Sequence, residues 1–169
     1  MIQKLKAHIN GILKDIKVHC AGKFDDGIYI LNSTRIMHVG SDDLDMSELK
    51  ADVLSERTKN TLVGANIGDF DYTRHELPSI TEIRQNVFER VGNYGRNIVV
   101  FCDEEINVNA RYLYKAMDAL NAKCCFIKPG SPGILLYQKD DPESETWEFI
   151  LKYRSKSDVV GYVVLDEKD

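Results

Sequence analysis

No Cys-x-x-Cys pair occurs in the chain, although it holds four cysteines, Cys20, Cys102, Cys124 and Cys125. That absence removes the zinc and thioredoxin patterns. Cys124 and Cys125 are adjacent in an apolar run. Neighbours on a strand point to opposite faces, so they do not suit one another as partners, and with Cys20 they read as core residues. There is also no long apolar run. Met1-Ile2-Gln3-Lys4 opens an amphipathic pattern, so neither a signal peptide nor a membrane span is expected. Free thiols without an export signal point to a reducing cytoplasm. No basic run is present, and 27 acids outnumber 22 Lys and Arg for a net charge of −5. Duplex nucleic acid is held by cations neutralising phosphates, so this balance argues against such a partner. The phosphate-binding G-x-x-x-x-G-K-[ST], the dinucleotide G-x-G-x-x-G and the G-x-S-x-G elbow are all missing. No cofactor is therefore expected.

What is there is ordinary globular material. With 169 residues, 43% hydrophobic, the chain is long enough for one sizeable core and short for two. A single domain over 1–169 is expected, with a helix and β-meander in 1–56 and an α/β core in 57–169. Ile2, Leu5, Ile9, Leu13 and Ile16 recur at helical spacing, which leaves His8 on the exposed side. Asp25-Asp26-Gly27 and Asn32-Ser33-Thr34 punctuate three short apolar runs, Val18–Phe24, Gly27–Leu31 and Arg35–Val39, as a meander. A short helix is expected over Met46–Leu54 and a strand over Thr61–Ile67. Ser79 and Glu82 fit a capping box for a helix carrying Ile83, Val87, Phe88 and Val91.

Asn97–Phe101 and Lys123–Lys128 are apolar runs typical of strands buried on both faces. The helix between them, capped by Asn107 or Asn109 and closed by Asn121, gives the stretch Asn97–Ile127 the size of a βαβ crossover. Ile134–Gln138 reads as another strand. Asp141-Pro142-Glu143 opens a helix with Trp147, Ile150 and Leu151, and Val159–Leu165 is a last strand. The expected fold class is α/β, with a mainly parallel central sheet flanked by helices after the N-terminal helix and β-meander. Ligands of such sheets bind beyond the carboxyl ends of strands. Cys102 stands at one such end.

The stretch from about 57 to 129 resembles the rhodanese-like (sulfurtransferase) superfamily. The resemblance is carried by Gly64-Ala65-Asn66-Ile67, Leu77-Pro78-Ser79, the strand Ile98-Val99-Val100-Phe101 ending in Cys102, and the helix from Ala110-Arg111-Tyr112-Leu113. It implies a sulfane-sulfur carrier with Cys102 as catalytic residue. Loop amides of 103–107 and a helix N-terminus would steady the persulfide. Asp103, Glu104, Asn107, Arg111, Arg74 and His75 would line the ligand site, and a small anionic sulfur donor would be the partner. In place of the family's Gly- and Arg-rich loop stands Asp103-Glu104-Glu105-Ile106-Asn107, with three acids and no cation. The residue six beyond Cys102 is Val108, so the phosphatase pattern of Cys, five residues and Arg is absent.

Two other readings of the same residues are open. One is a non-catalytic binding, inhibitory or regulatory module with a protein partner, such as a viral accessory protein. The other is a Mg²⁺-dependent phosphoryl-transfer site built from Asp69, Asp71, Asp103 and Glu104, since carboxylates at neighbouring strand ends can hold Mg²⁺.

Overall fold

The structure, a computed structural model, describes residues 2–13, 18–24, 26–32, 35–43, 57, 60, 72–91, 98–101, 107–128, 130, 132–152 and 162–165. The expected helix over Met46–Leu54 and strand over Thr61–Ile67 lie outside them.

Helix α1 spans Ile2–Leu13. It buries Leu5, Ile9 and Ile12, the i, i+4, i+7 stripe of one helical face. The meander follows as β1 (Val18–Phe24), β2 (Gly27–Asn32) and β3 (Arg35–Gly40). After it come β4 (Thr73–Glu76), helix α2 (Ile80–Val91), β5 (Ile98–Phe101) and β6 (Asn107–Asn109). Helix α3 (Ala110–Leu120) leads to β7 (Cys124–Ile127), β8 (Gly133–Tyr137), β9 (Trp147–Leu151) and β10 (Tyr162–Leu165).

The expected mainly parallel sheet is not what forms. Seven strands make one sheet in the order β1-β2-β3-β9-β8-β7-β4, and each of its pairs is antiparallel. The meander and the later strands therefore share a sheet, joined where β3 meets β9. A second sheet has the order β10-β5-β6, with β10 and β5 parallel. Strands β5 and β7 sit in different sheets, so Asn97–Ile127 is not a βαβ crossover.

The cause of the misreading is physical. Uninterrupted apolar strands signal burial on both faces, and burial on both faces does not require parallel pairing. The large sheet is apolar on each side. Toward the helices it presents Ile28, Ile30, Met37, Val39, Cys125, Ile127, Ile134 and Ile150 against Leu5, Ile9, Ile83, Leu113 and Leu120. The opposite face clusters Tyr29, Ile36, Phe126, Leu135 and Phe149, with Tyr72, Tyr137 and Trp147 packed on them.

The segment after Pro142 is also corrected, from helix to strand. Asp141 Oδ1 accepts from the Glu143 amide at 3.0 Å, and the Ser144 amide donates to the Asp141 carbonyl at 2.9 Å. That local turn, preceded by a single 3-10 turn at Gln138–Asp140, makes a hairpin from β8 to β9. Trp147, Phe149 and Leu151 then alternate with Glu148 and Ile150 across the sheet.

Elements α2 and α3 begin as their cap residues dictate. The Glu82 amide donates to Ser79 Oγ at 3.1 Å and the Ser79 amide to Glu82 Oε2 at 3.3 Å, a reciprocal capping box. Ile83 is buried on α2, while the side chains of Val87, Phe88 and Val91 lie outside the described set. Asn109, one of the two expected caps, accepts from the Arg111 amide at 2.9 Å. Asn121 closes α3 in the left-handed conformation at φ 51°. Among the described residues no helix is long and apolar enough to cross a membrane.

The β1–β2 turn depends on Gly27, whose φ of 146° is open to glycine and strained for other residues. A methyl group there would also press on the Val39 carbonyl and the His38 ring. Gly27→Ala is expected to cost about 1–3 kcal/mol, read as a lower urea midpoint with an unchanged slope.

Candidate functional site

The helix-facing side of the large sheet contains one acid where apolar residues surround it. Register places Glu148 of β9 opposite Met37, on the same face as Ile150. Its side chain is 0% exposed. Removing a carboxylate from water costs several kcal/mol unless partners compensate it.

Two partners do so. His8 of α1 sets Nε2 at 3.1 Å from one Glu148 oxygen and 3.3 Å from the other. A carboxylate only accepts, so Nε2 carries the proton and donates. Arg35 of β3 brings its guanidinium to 3.9 Å from the same carboxylate and stacks its charge 4.3 Å from the centre of the Tyr112 ring. His8 and Arg35 are each 8% exposed at the side chain. The expected exposed position of His8 is thus corrected. It is one residue off the apolar stripe of α1, close enough to turn inward when a buried anion is there to receive it.

Above this group lies a cleft of ≈ 640 Å³, walled by α1 and α3 and floored by β3. Lys4, His8 and Gly11 form its α1 wall, and Tyr112, Lys115 and Asp118 its α3 wall. Each set follows a helical face next to the buried stripe. Lys4, Lys115 and Arg35 bring three fixed cations against the carboxylates of Asp118 and Glu148, so the cleft is net positive on an acidic protein. Gly11 has open space where a side chain would stand, which keeps the cleft clear.

The residues singled out from sequence are dispersed. Cys102, Asp103, Glu104, Asp69 and Asp71 lie outside the described residues, as does the side chain of Asn107. Arg74 and His75 are consecutive on β4 and face opposite sides of the sheet. Arg74 is paired across the strands with Phe126, on the face away from the helices, and reaches Glu76 at 3.4 Å. His75, opposite Cys125, is buried on the helix side. Arg111 opens α3 on that helix side, so the sheet separates it from Arg74.

The described strands also bear on the helix expected beside Cys102. Strand β6 runs antiparallel to β5, pairing Asn107 with Val100 and Asn109 with Ile98. Helix α3 therefore starts beside the amino end of β5. At 3.3 Å per residue its first turn is about 10 Å from the Phe101 end, where Cys102 follows. Among the described residues no group of three or more His, Cys, Asp or Glu could hold a metal ion.

Sequence reasoning missed Glu148, Arg35 and His8 as a set. The signal was a lone acid inside Trp147-Glu148-Phe149-Ile150-Leu151 and a cation heading Arg35-Ile36-Met37. It becomes visible only once both segments are strands of one sheet. Comparison with protein-family models, with curated proteins and with solved structures returns no match.

Cys124 and Cys125 are buried free thiols, as expected of core cysteines. Cys124 is pushed up to about 11 by burial first, then by the nearby Asp140 and Glu76 carboxylates. Asp140 is fixed there because it accepts from the Lys123 amide at 2.9 Å and the Cys124 amide at 3.0 Å.

Two predictions follow from these burial patterns. Glu148→Ala is expected to cost about 3–5 kcal/mol, because it leaves the buried Arg35 guanidinium without its counter-charge and the His8 ring without its acceptor, whereas replacing Glu148, His8 and Arg35 together by Leu, Leu and Met costs far less; urea denaturation of both variants measures the contrast. The folded state favours the neutral Cys124 thiol, so its contribution to stability is whole below pH 9.0 and is lost as pH rises through about 11. Iodoacetamide at mildly alkaline pH is accordingly expected to spare the Cys124 and Cys125 peptides in the native protein and to label them in denaturant, as peptide mass analysis will register.

Proposed function

We propose that the chain is a non-catalytic binding module, and that the cleft between α1 and α3 takes a small anionic ligand or an anionic group of a partner. The observation that carries this reading is the fully buried Glu148 holding His8 and Arg35 beneath an open, net-positive cleft. A buried carboxylate here stabilises little by itself, because its desolvation offsets most of the pairing. What it does is hold the Arg35 guanidinium and the His8 ring in fixed positions facing a cavity, which is the preorganisation that anion recognition needs.

The setting proposed is the cytoplasm, supported by the free thiols of Cys124 and Cys125. Sulfur carriage by Cys102 is the competing proposal. Its support is the strand–cysteine sequence alone, since the parallel frame implied by the resemblance is not the fold and α3 begins at the other end of β5.

Thermal melting in phosphate and pyrophosphate, against chloride at equal ionic strength, tests the binding reading through the stabilisation that a bound ligand confers. Phosphate is expected to raise the melting temperature and shift the amide resonances of His8, Tyr112 and Lys115. The exposed substitution Lys115→Glu is expected to abolish both effects. Equal melting in all three salts would count against an anion site. An added sulfur on Cys102 after thiosulfate, seen by intact mass with no change at the cleft, would favour the carrier instead.

A further inference from the structure

A second cleft, of ≈ 550 Å³, adjoins the first. Its walls carry Leu77, Pro78, Ile80, Met117 and Ala122, and its charged residues balance, Lys4 and Lys123 against Glu76 and Asp118, so it is neutral where the first is net positive. The two share Lys4 and Asp118 as lining residues. These form an ion pair at 3.0 Å, with side chains 63% and 52% exposed. The pair stands as a partition between two halves of one groove. An exposed ion pair of this kind contributes little, so a ligand lying across it displaces little.

Resting on the anion-site reading, we infer that the two clefts together bind a single-chain anionic amphiphile as a free monomer. Its phosphate or carboxylate head would lie over Arg35 and Lys115. Its hydrocarbon chain would cross the Lys4–Asp118 pair to lie along Leu77, Ile80 and Met117. Charge and polarity select this occupant. The head region has three cations, one of them the Arg35 guanidinium held against the Tyr112 ring, whereas the tail region is charge-neutral and offers apolar side chains from the α2 entry and the α3 exit. Parting Lys4 from Asp118 also frees the Lys4 ammonium for the head. Both volumes lie in the range of small-molecule sites, about 300–1,000 Å³. Arg35 is recessed, so a compact headgroup reaches it more readily than a folded protein surface does.

The test is calorimetric titration of the whole chain with inorganic phosphate, butyl phosphate and octyl phosphate below micelle-forming concentrations, and with octanol. Octyl phosphate is expected to bind at least about tenfold more tightly than butyl phosphate, since each fully buried methylene contributes about 0.8 kcal/mol. Octanol is expected to bind more weakly than octyl phosphate. Leu77→Glu is expected to remove the chain-length gain and leave inorganic phosphate binding unchanged. Gly11→Leu, a helix-compatible change that fills the head cleft, is expected to weaken every phosphate. If inorganic phosphate binds and chain length has no effect, the amphiphile inference fails while the anion site stands. If no phosphate binds, both fail. Co-sedimentation with phosphatidic-acid vesicles, without affinity for monomeric octyl phosphate, would assign the groove to a bilayer surface and overturn the inference. The wild-type chain-length series decides the matter even if one of the variants misfolds.

Discussion

A carboxylate without water must have its charge answered, and Glu148 has no water around it. Its answer comes from α1 through His8 and from β3 through Arg35, two elements that apolar packing alone would leave free to slide. Dispersion and hydrophobic burial are non-directional. The Glu148 contacts are directional, and they fix the rotation of α1 about its axis as well as its position along β3. With α1 so placed, Lys4 meets Asp118 on α3, and the space left between the helices becomes a cleft of one shape and one predominant sign.

The sheet beneath makes that arrangement possible. Antiparallel pairing sets Arg35 and Glu148 on the same face of neighbouring strands, two residues apart in register. The same face is otherwise largely apolar, with His75 buried on β4, and helices cover it, so the charges meet in a setting of low dielectric where their attraction is strong. The second sheet holds a separate lesson. Because β6 returns along β5 before α3 begins, the helix N-terminus and the Phe101 end of β5 point to different places. Helix α3 thus starts about 10 Å from the Phe101 end of β5, and the cations Lys4, Arg35 and Lys115 gather at the cleft between α1 and α3.

Much of the local structure was legible from sequence. Leu5 and Ile9 of the α1 stripe, the three meander strands, the Ser79–Glu82 capping box and the Asn109 and Asn121 caps all follow from short-range chemistry that a sequence carries explicitly. The sheet's direction was not legible, because Ile98–Phe101 and Cys124–Ile127 carry a pattern that reports burial, and burial is blind to strand direction. The strand at Trp147–Leu151 was missed because apolar residues at 147, 150 and 151 also fit a helical period. That error hid the site. Glu148 looks like an ordinary exposed acid on a helix and becomes a buried one only on a central strand. His8 likewise gives no sign, one position off the α1 stripe, that an anion 140 residues away will draw it inward.

The tautomer and exchange of the His8 ring test the central claim most directly, by long-range proton–nitrogen correlation in solution. If Glu148 organises the site, the neutral ring carries its proton on Nε2, that proton exchanges slowly with water, and Glu148→Gln speeds the exchange. A ring protonated on Nδ1, or an Nε2 proton exchanging as fast as in a free imidazole, would contradict the account, since His8 would then be facing solvent and Glu148 would not hold the α1 wall of the cleft.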